Sequence, residues 1–247
     1  MYARLAVLAL VLLPATTAAR ERGDLVYLRD IDPSIRQDMR YAGYDNFTGR
    51  PLPGYRAAEC ILRRPAAIAL KRVQTDLAPH RLSLKVYDCY RPTRAVAGMA
   101  RWASDAGARP DTSRFYPTLK KNQLFALGYI APRSAHSRGV AVDLTLVPLD
   151  AARPASFDPN ARYGACTGPA SGRAPDDSLD MGTGYDCFDT KSHTRNAAIT
   201  AQQRTHRDRL LQVMTRHGFS NYPKEWWHFS FPAADTGVAF DIPIEPR

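Results

Sequence analysis

No stretch of the 247-residue chain approaches the roughly 18 consecutive apolar residues that a membrane-spanning helix needs, which excludes a protein held in the bilayer by such a span. No internal repeat recurs, and no regular strand–helix alternation marks a doubly wound sheet. The four cysteines contain no C-x-x-C pair, which argues against a thiolate zinc knuckle. A dedicated basic tract is also missing. The chain carries 34 Lys+Arg against 24 Asp+Glu, a net charge of +10, but its arginines are scattered among 19 prolines, so no nucleic-acid partner is expected. Such a surface suits plain solvation or an anionic polymer such as a bacterial wall. With 45% hydrophobic and 23% charged residues, the chain has enough apolar material to bury a core and is not disordered.

What is present begins at the first residue. A short positive segment ending at Arg4 precedes the nine apolar residues from Leu5 to Leu13; Pro14 breaks the run, and small residues follow to Ala19. Residues 1–19 read as a secretory signal peptide, leaving one domain over 20–247, periplasmic or secreted, with no membrane insertion after cleavage. In an oxidising compartment four cysteines imply two disulfides, for which three pairings are open. Cys60–Cys89 and Cys166–Cys187 are expected, because the second pair brackets a polar Gly/Pro/Ser-rich stretch that needs a staple. Residues 151–187 read as a loop insertion within the domain.

The remaining pattern mixes helices and strands. Pro65 with Ala66, Ala69, Val73 and Leu77 predicts a helix from Pro65 to about Ala78. Leu82, Leu84 and Val86 alternate with polar residues as in a half-buried strand, and 93–103 looks helical. Residues 139–146 alternate strictly, with Val140, Val142, Leu144 and Leu146 on one face and Asp143 on the other. Thr200 and Gln203 form a capping-box signature for a helix ended by Gly218, and EWWHFSF reads as a strand. The class is α+β, in one domain.

Three separated clusters carry chemistry. In SAHSRGVAVD, Asp143 sits on an otherwise apolar strand, where a carboxylate is costly unless paired or metal-bound, and His136 precedes it across a turn at Gly139. In EWWHF, Glu225 and His228 lie three apart among aromatics that would dry the site. A regular strand would point them to opposite sides, so a shared site requires a bulge, or Glu225 still in the loop after Pro223. In YDCYRP, Arg91 before a proline is held extended at a strand end, where it can aim into a cleft. His136, Asp143 and His228 make three ligands for one catalytic zinc with a fourth position open. Glu225 is then available as general base and Arg91 as oxyanion partner, the division of labour of a metallopeptidase.

The stretches SAHSRGVAVDLTL, EWWHFSF and YDCYRP, with RYAGYDNFTGRPLPGY and DMGTGYDCFDTKSH, resemble the signatures of zinc D-alanyl-D-alanine dipeptidases of the VanX type. The likeness runs from about Tyr27 to Pro243. It implies a hedgehog-like fold with a mixed or antiparallel sheet and flanking helices. It also implies one zinc per chain on His136, Asp143 and His228, Glu225 as base, Arg91 as transition-state stabiliser, and Tyr41, Ser134 and Asp186 in the substrate pocket. The implied reaction is hydrolysis of D-Ala-D-Ala to two D-alanines. A D,D- or L,D-carboxypeptidase acting on wall peptides, and a zinc-binding module without activity, use the same ligand set and stay open. The leader and the long 151–187 loop depart from the family pattern.

Overall fold

The computed structural model describes residues 23–107 and 109–247; the expected signal peptide lies outside the described residues. In chain order the elements are β1 (Leu25–Tyr27), α1 (Leu28–Ile31), β2 (Arg36–Gln37), β3 (Ile61–Arg63), α2 (Arg64–Leu77), β4 (Leu82–Asp88), α3 (Thr93–Ser104), β5 (Ala141–Pro148), α4 (Ala201–Arg216), β6 (Ser220–Asn221) and β7 (His228–Ser230). Long irregular segments with short 3-10 turns join them. β1 and β3 form an antiparallel pair, and the other strands form a sheet of order β2-β4-β5-β7-β6. Within this sheet the β2–β4 pair is parallel and the other pairs are antiparallel. This is the expected single α+β domain with a mixed sheet.

The helices form where apolar spacing and caps agree. Ala66, Leu70, Val73 and Leu77 give α2 one buried face, with proline in the first turn. At the start of α4 the Thr200 hydroxyl accepts from the Gln203 amide at 3.2 Å, and the Gln203 side chain accepts from the Thr200 amide at 2.9 Å. Each satisfies a donor that the helix leaves open. Gly218, at φ 88°, lets the chain turn out after α4. Leu70, Val73, Leu210 and Met214 from these two helices share one core with Leu84, Val86 and Leu144 of the central strands. Each such side chain, fully buried, contributes on the order of 1.5–3 kcal/mol.

The sequence pattern predicts a half-buried β4, yet every residue of that strand is buried. The second face is covered by the 151–187 loop, whose polar composition hides its role as a lid on the sheet. Ion pairs hold it there. The buried Lys85 ammonium meets Asp176 at 2.5 Å and also pairs with Asp177. Arg36 meets Asp177 at 2.5 Å, and Arg40 meets Asp176 at 2.9 Å. Cys166–Cys187 closes the loop, and Cys60–Cys89 ties the residue before β3 to the residue after β4, with Cα–Cα distances of 5.5 and 5.3 Å. Both expected disulfides are formed. The EWWHFSF strand is shorter than its composition suggests. Only His228–Ser230 pairs in the sheet, because the chain from Tyr222 is still turning: the Glu225 amide bonds to the Tyr222 carbonyl at 3.0 Å.

Gly139 joins the turn that carries His136 to β5. Its φ is 70°, and a Cβ there would sit 2.5 Å from Cδ2 of Leu25. Gly139→Ala should therefore lower unfolding free energy by about 1–2 kcal/mol for the left-handed backbone, with the clash added. Urea denaturation reads this directly; an unchanged midpoint would show that the turn relaxes freely.

Candidate active site

Strand register brings the site together. Asp143 on β5 stands directly opposite His228 on β7, so both side chains leave the same face of the sheet. A bulge after Val86 brings Asp88, the last residue of β4, opposite Asp143 on its other side. His136 lies on the 3-10 turn His136–Arg138, and Gly139 reverses the chain into β5. Glu225 belongs to the turn before β7: the His228 amide bonds to the Glu225 carbonyl at 3.2 Å. Of the two arrangements that the sequence allowed, the loop position is the one adopted.

The donor atoms converge. Nδ1 of His228 lies 3.0 Å from Oδ1 of Asp143 and 3.1 Å from Nε2 of His136, and Nε2 of His136 lies 3.3 Å from the same Asp143 oxygen. A tetrahedral ion with bonds of about 2.0–2.2 Å separates its ligand atoms by about 3.3–3.6 Å, close to this triangle. His136 is oriented from behind, its Nδ1 donating to the Cys89 carbonyl at 2.7 Å, which leaves the Nε2 lone pair facing the other two donors. Two imidazoles and one carboxylate make a donor set that fits a transition-metal ion, and these three residues could hold one.

The other expected residues surround this triangle. Tyr41, Arg91, Ser134, Asp186 and Glu225 line one cavity of about 310 Å³ with His136, Asp143 and His228, so all eight sequence-predicted residues are brought together. Oε2 of Glu225 stands 3.9 Å from Nδ1 of His228, beside the donor set and outside it. The Tyr41 hydroxyl donates to Asp186 at 2.8 Å, and the Ser134 hydroxyl accepts from the His136 amide at 3.2 Å. Asp186 holds φ 54°, an αL conformation that a short polar residue tolerates and that turns its carboxylate inward.

Arg91 is held by a residue that the sequence reading passed over. Asp88 is fully buried and accepts from Nε and Nη2 of Arg91, both at 2.9 Å, and from the Tyr55 hydroxyl at 2.5 Å. Tyr185 is a second such residue: its hydroxyl donates to Oδ2 of Asp143 at 3.0 Å. The available signal for Asp88 was the same as for Asp143, a carboxylate at an apolar strand, three residues before an arginine. Tyr185 carried no signal beyond adjacency to Asp186.

Electrostatics divide the carboxylates. Burial pushes the Asp143 carboxyl up, but the imidazoles of His136 and His228 outweigh it and hold the group well below the usual range. Burial, reinforced by Asp143, raises both Glu225 and Asp186 well above ordinary carboxylates. Burial also raises Asp88, against the pull of Arg91. Removing Arg91 would strand Asp88. Arg91→Ala should destabilise the fold by about 3–5 kcal/mol, the cost of breaking a buried pair from one side, measured by chemical denaturation of the metal-free protein. A loss below about 1 kcal/mol would mean that solvent reaches Asp88 freely.

The model of the family described as D-ala-D-ala dipeptidase, peptidase M15, matches residues 21–160 and 175–243. A D-alanyl-D-alanine dipeptidase of Streptomyces coelicolor is 33% identical over 225 residues, covering 90% of this chain and 98% of that protein. One of Enterococcus faecalis is 31% identical over 220 residues, 88% and 97% of the two chains. One of Escherichia coli K12 is 30% identical over 211 residues, 85% and 86%. The match spans the helices, the sheet and every residue of the donor triangle, and the chain belongs to the D-ala-D-ala dipeptidase family of metal-dependent M15 peptidases.

Proposed function

We propose that this chain is an exported zinc dipeptidase that hydrolyses D-Ala-D-Ala to two D-alanines. The observation that carries the reading is the single cavity in which a His-His-Asp donor triangle, Glu225, Arg91 and a buried acid all meet. His136, Asp143 and His228 hold the zinc. Bound there, zinc supplies Lewis-acid polarisation of the scissile carbonyl and makes a water molecule acidic near neutral pH. Glu225 takes the proton of the attacking water and delivers it to the leaving amine nitrogen. Arg91, anchored by Asp88, offers its guanidinium to the developing oxyanion. Asp186 accepts the substrate ammonium with Tyr41 beside it, and Ser134 contributes a hydroxyl to the same pocket.

Asp186 separates this reading from a D,D- or L,D-carboxypeptidase. A buried carboxylate that expects an ammonium rejects an N-acylated peptide, because the acylated nitrogen is neutral and leaves the desolvated carboxylate without its partner. Export is supported by the leader at 1–19 and by two disulfides that suit an oxidising compartment. In that compartment the enzyme would salvage dipeptide released from the wall. The stretch 161–174, between the two matched segments, falls inside the loop that we read as an insertion.

Purified protein with zinc should cleave D-Ala-D-Ala and leave N-acetyl-D-Ala-D-Ala intact; efficient cleavage of the acylated peptide would select the carboxypeptidase. Glu225→Ala should keep zinc and lose on the order of 10²–10⁴-fold in kcat, and near wild-type turnover with metal bound would remove Glu225 as the base. Arg91→Lys keeps a charge beside Asp88 but loses the fork; kcat should fall by roughly 10²–10³-fold with little change in KM, since the charge it meets develops in the transition state. His136→Ala should lose the metal, read by elemental analysis after dialysis.

A further inference from the structure

We infer that Tyr185 is a positioning residue for the metal centre, its hydroxyl fixing which oxygen of Asp143 serves as ligand. The inference rests on the zinc reading given above. Oδ1 of Asp143 faces both imidazoles, at 3.0 and 3.3 Å. Oδ2 accepts from the Tyr185 hydroxyl at 3.0 Å. The next donor, Nη2 of Arg91, stands 3.7 Å from Oδ2 and is engaged with Asp88. One oxygen is thus committed away from the donor triangle, and the carboxylate presents the other alone.

The hydroxyl is itself held still. The Tyr185 ring is buried, stacks on Tyr87 at 4.5 Å and 15°, and meets Trp227 edge-on at 5.6 Å. Two residues later Cys187 is bridged to Cys166. His136 has the matching arrangement on its own far side, with Nδ1 on the carbonyl of Cys89, itself bridged to Cys60. Two of the three donors are therefore oriented by a group that lies at a disulfide or two residues from one. Without the Tyr185 hydroxyl, the Asp143 carboxylate could turn about its terminal bond and offer both oxygens. The donor set would no longer be organised before the ion arrives. Loss of such a supporting contact typically weakens metal binding by about 10–100-fold.

Tyr185→Phe deletes only the hydroxyl. Tyr87→Phe is its control: it alters the same stack, but its hydroxyl rests on Asp176 at 2.8 Å, away from the donors. Zinc affinity of wild type and both variants is measured by competition with a chelator, with melting of the metal-free proteins to compare their folds. Tyr185→Phe should bind zinc about tenfold or more weakly, and Tyr87→Phe within about twofold of wild type. Cobalt(II) in place of zinc gives a second readout. Its visible absorption should weaken in Tyr185→Phe as Asp143 becomes bidentate and coordination number rises. Equal zinc affinity in Tyr185→Phe and wild type, or equal losses in the two variants, would overturn the inference while leaving the zinc reading intact. A wild type that takes up no zinc would bring down the zinc reading and this inference together.

Discussion

A carboxylate in the middle of a buried sheet is the constraint around which this protein is arranged. Asp143 is 2% exposed, on a strand flanked by the fully buried β4 and by β7, whose His228 and Ser230 are half-buried. An isolated charge in that position costs several kcal/mol or neutralises itself. Asp143 does neither, because imidazoles on one side and a tyrosine hydroxyl on the other compensate it. Those partners come from a turn, a second strand and a distant loop. Satisfying one side chain therefore fixes the relative positions of four segments, and the same contacts that make the carboxylate tolerable aim the donor atoms at one point.

The two disulfides and the ion-paired loop belong to the same arrangement. The carbonyl that orients His136 is that of Cys89, so the Cys60 bridge holds the end of β4 where this hydrogen bond needs it. The loop across the far face delivers Tyr185 and Asp186 side by side, and the Cys166 bridge with the Lys85, Arg36 and Arg40 pairs keeps it on the sheet. A loop that closes over a sheet this way pays its ordering entropy through local staples rather than through a large apolar face.

Much of this was legible in the sequence, for separable reasons. The helices obeyed apolar spacing and caps, so Arg64–Leu77 and Ala201–Arg216 fall within a residue or two of expectation. The three residues of the donor triangle could be singled out because an acid on an apolar strand is costly unless partnered, with His136 one glycine turn before it and His228 among aromatics. Full burial of β4 was not legible, since the segment that covers its second face is polar and does so through ion pairs. The position of Glu225 was decided by a turn from Tyr222 that no periodicity announces. Asp88 and Tyr185 act through other residues, and a partner 42 positions away along the chain, as Asp143 is from Tyr185, leaves no local pattern.

Charge balance ties the site to its proposed ligands. Asp88, Asp143, Asp186 and Glu225 crowd around the Arg91 guanidinium and two imidazoles that are neutral when they act as metal donors, with Arg133 also lining the cavity. Burial and mutual repulsion push Asp88, Asp186 and Glu225 upward, so by itself the chain holds these groups against their preference for water. A divalent ion at the donor triangle and the ammonium of a free dipeptide would bring positive charge to these carboxylates. An N-acylated peptide brings no ammonium and leaves Asp186 without that compensation. Burial and the neighbouring Asp143 already press on Asp186, so a preference for a free amino terminus would follow from its acidic surroundings as well as from Asp186 itself.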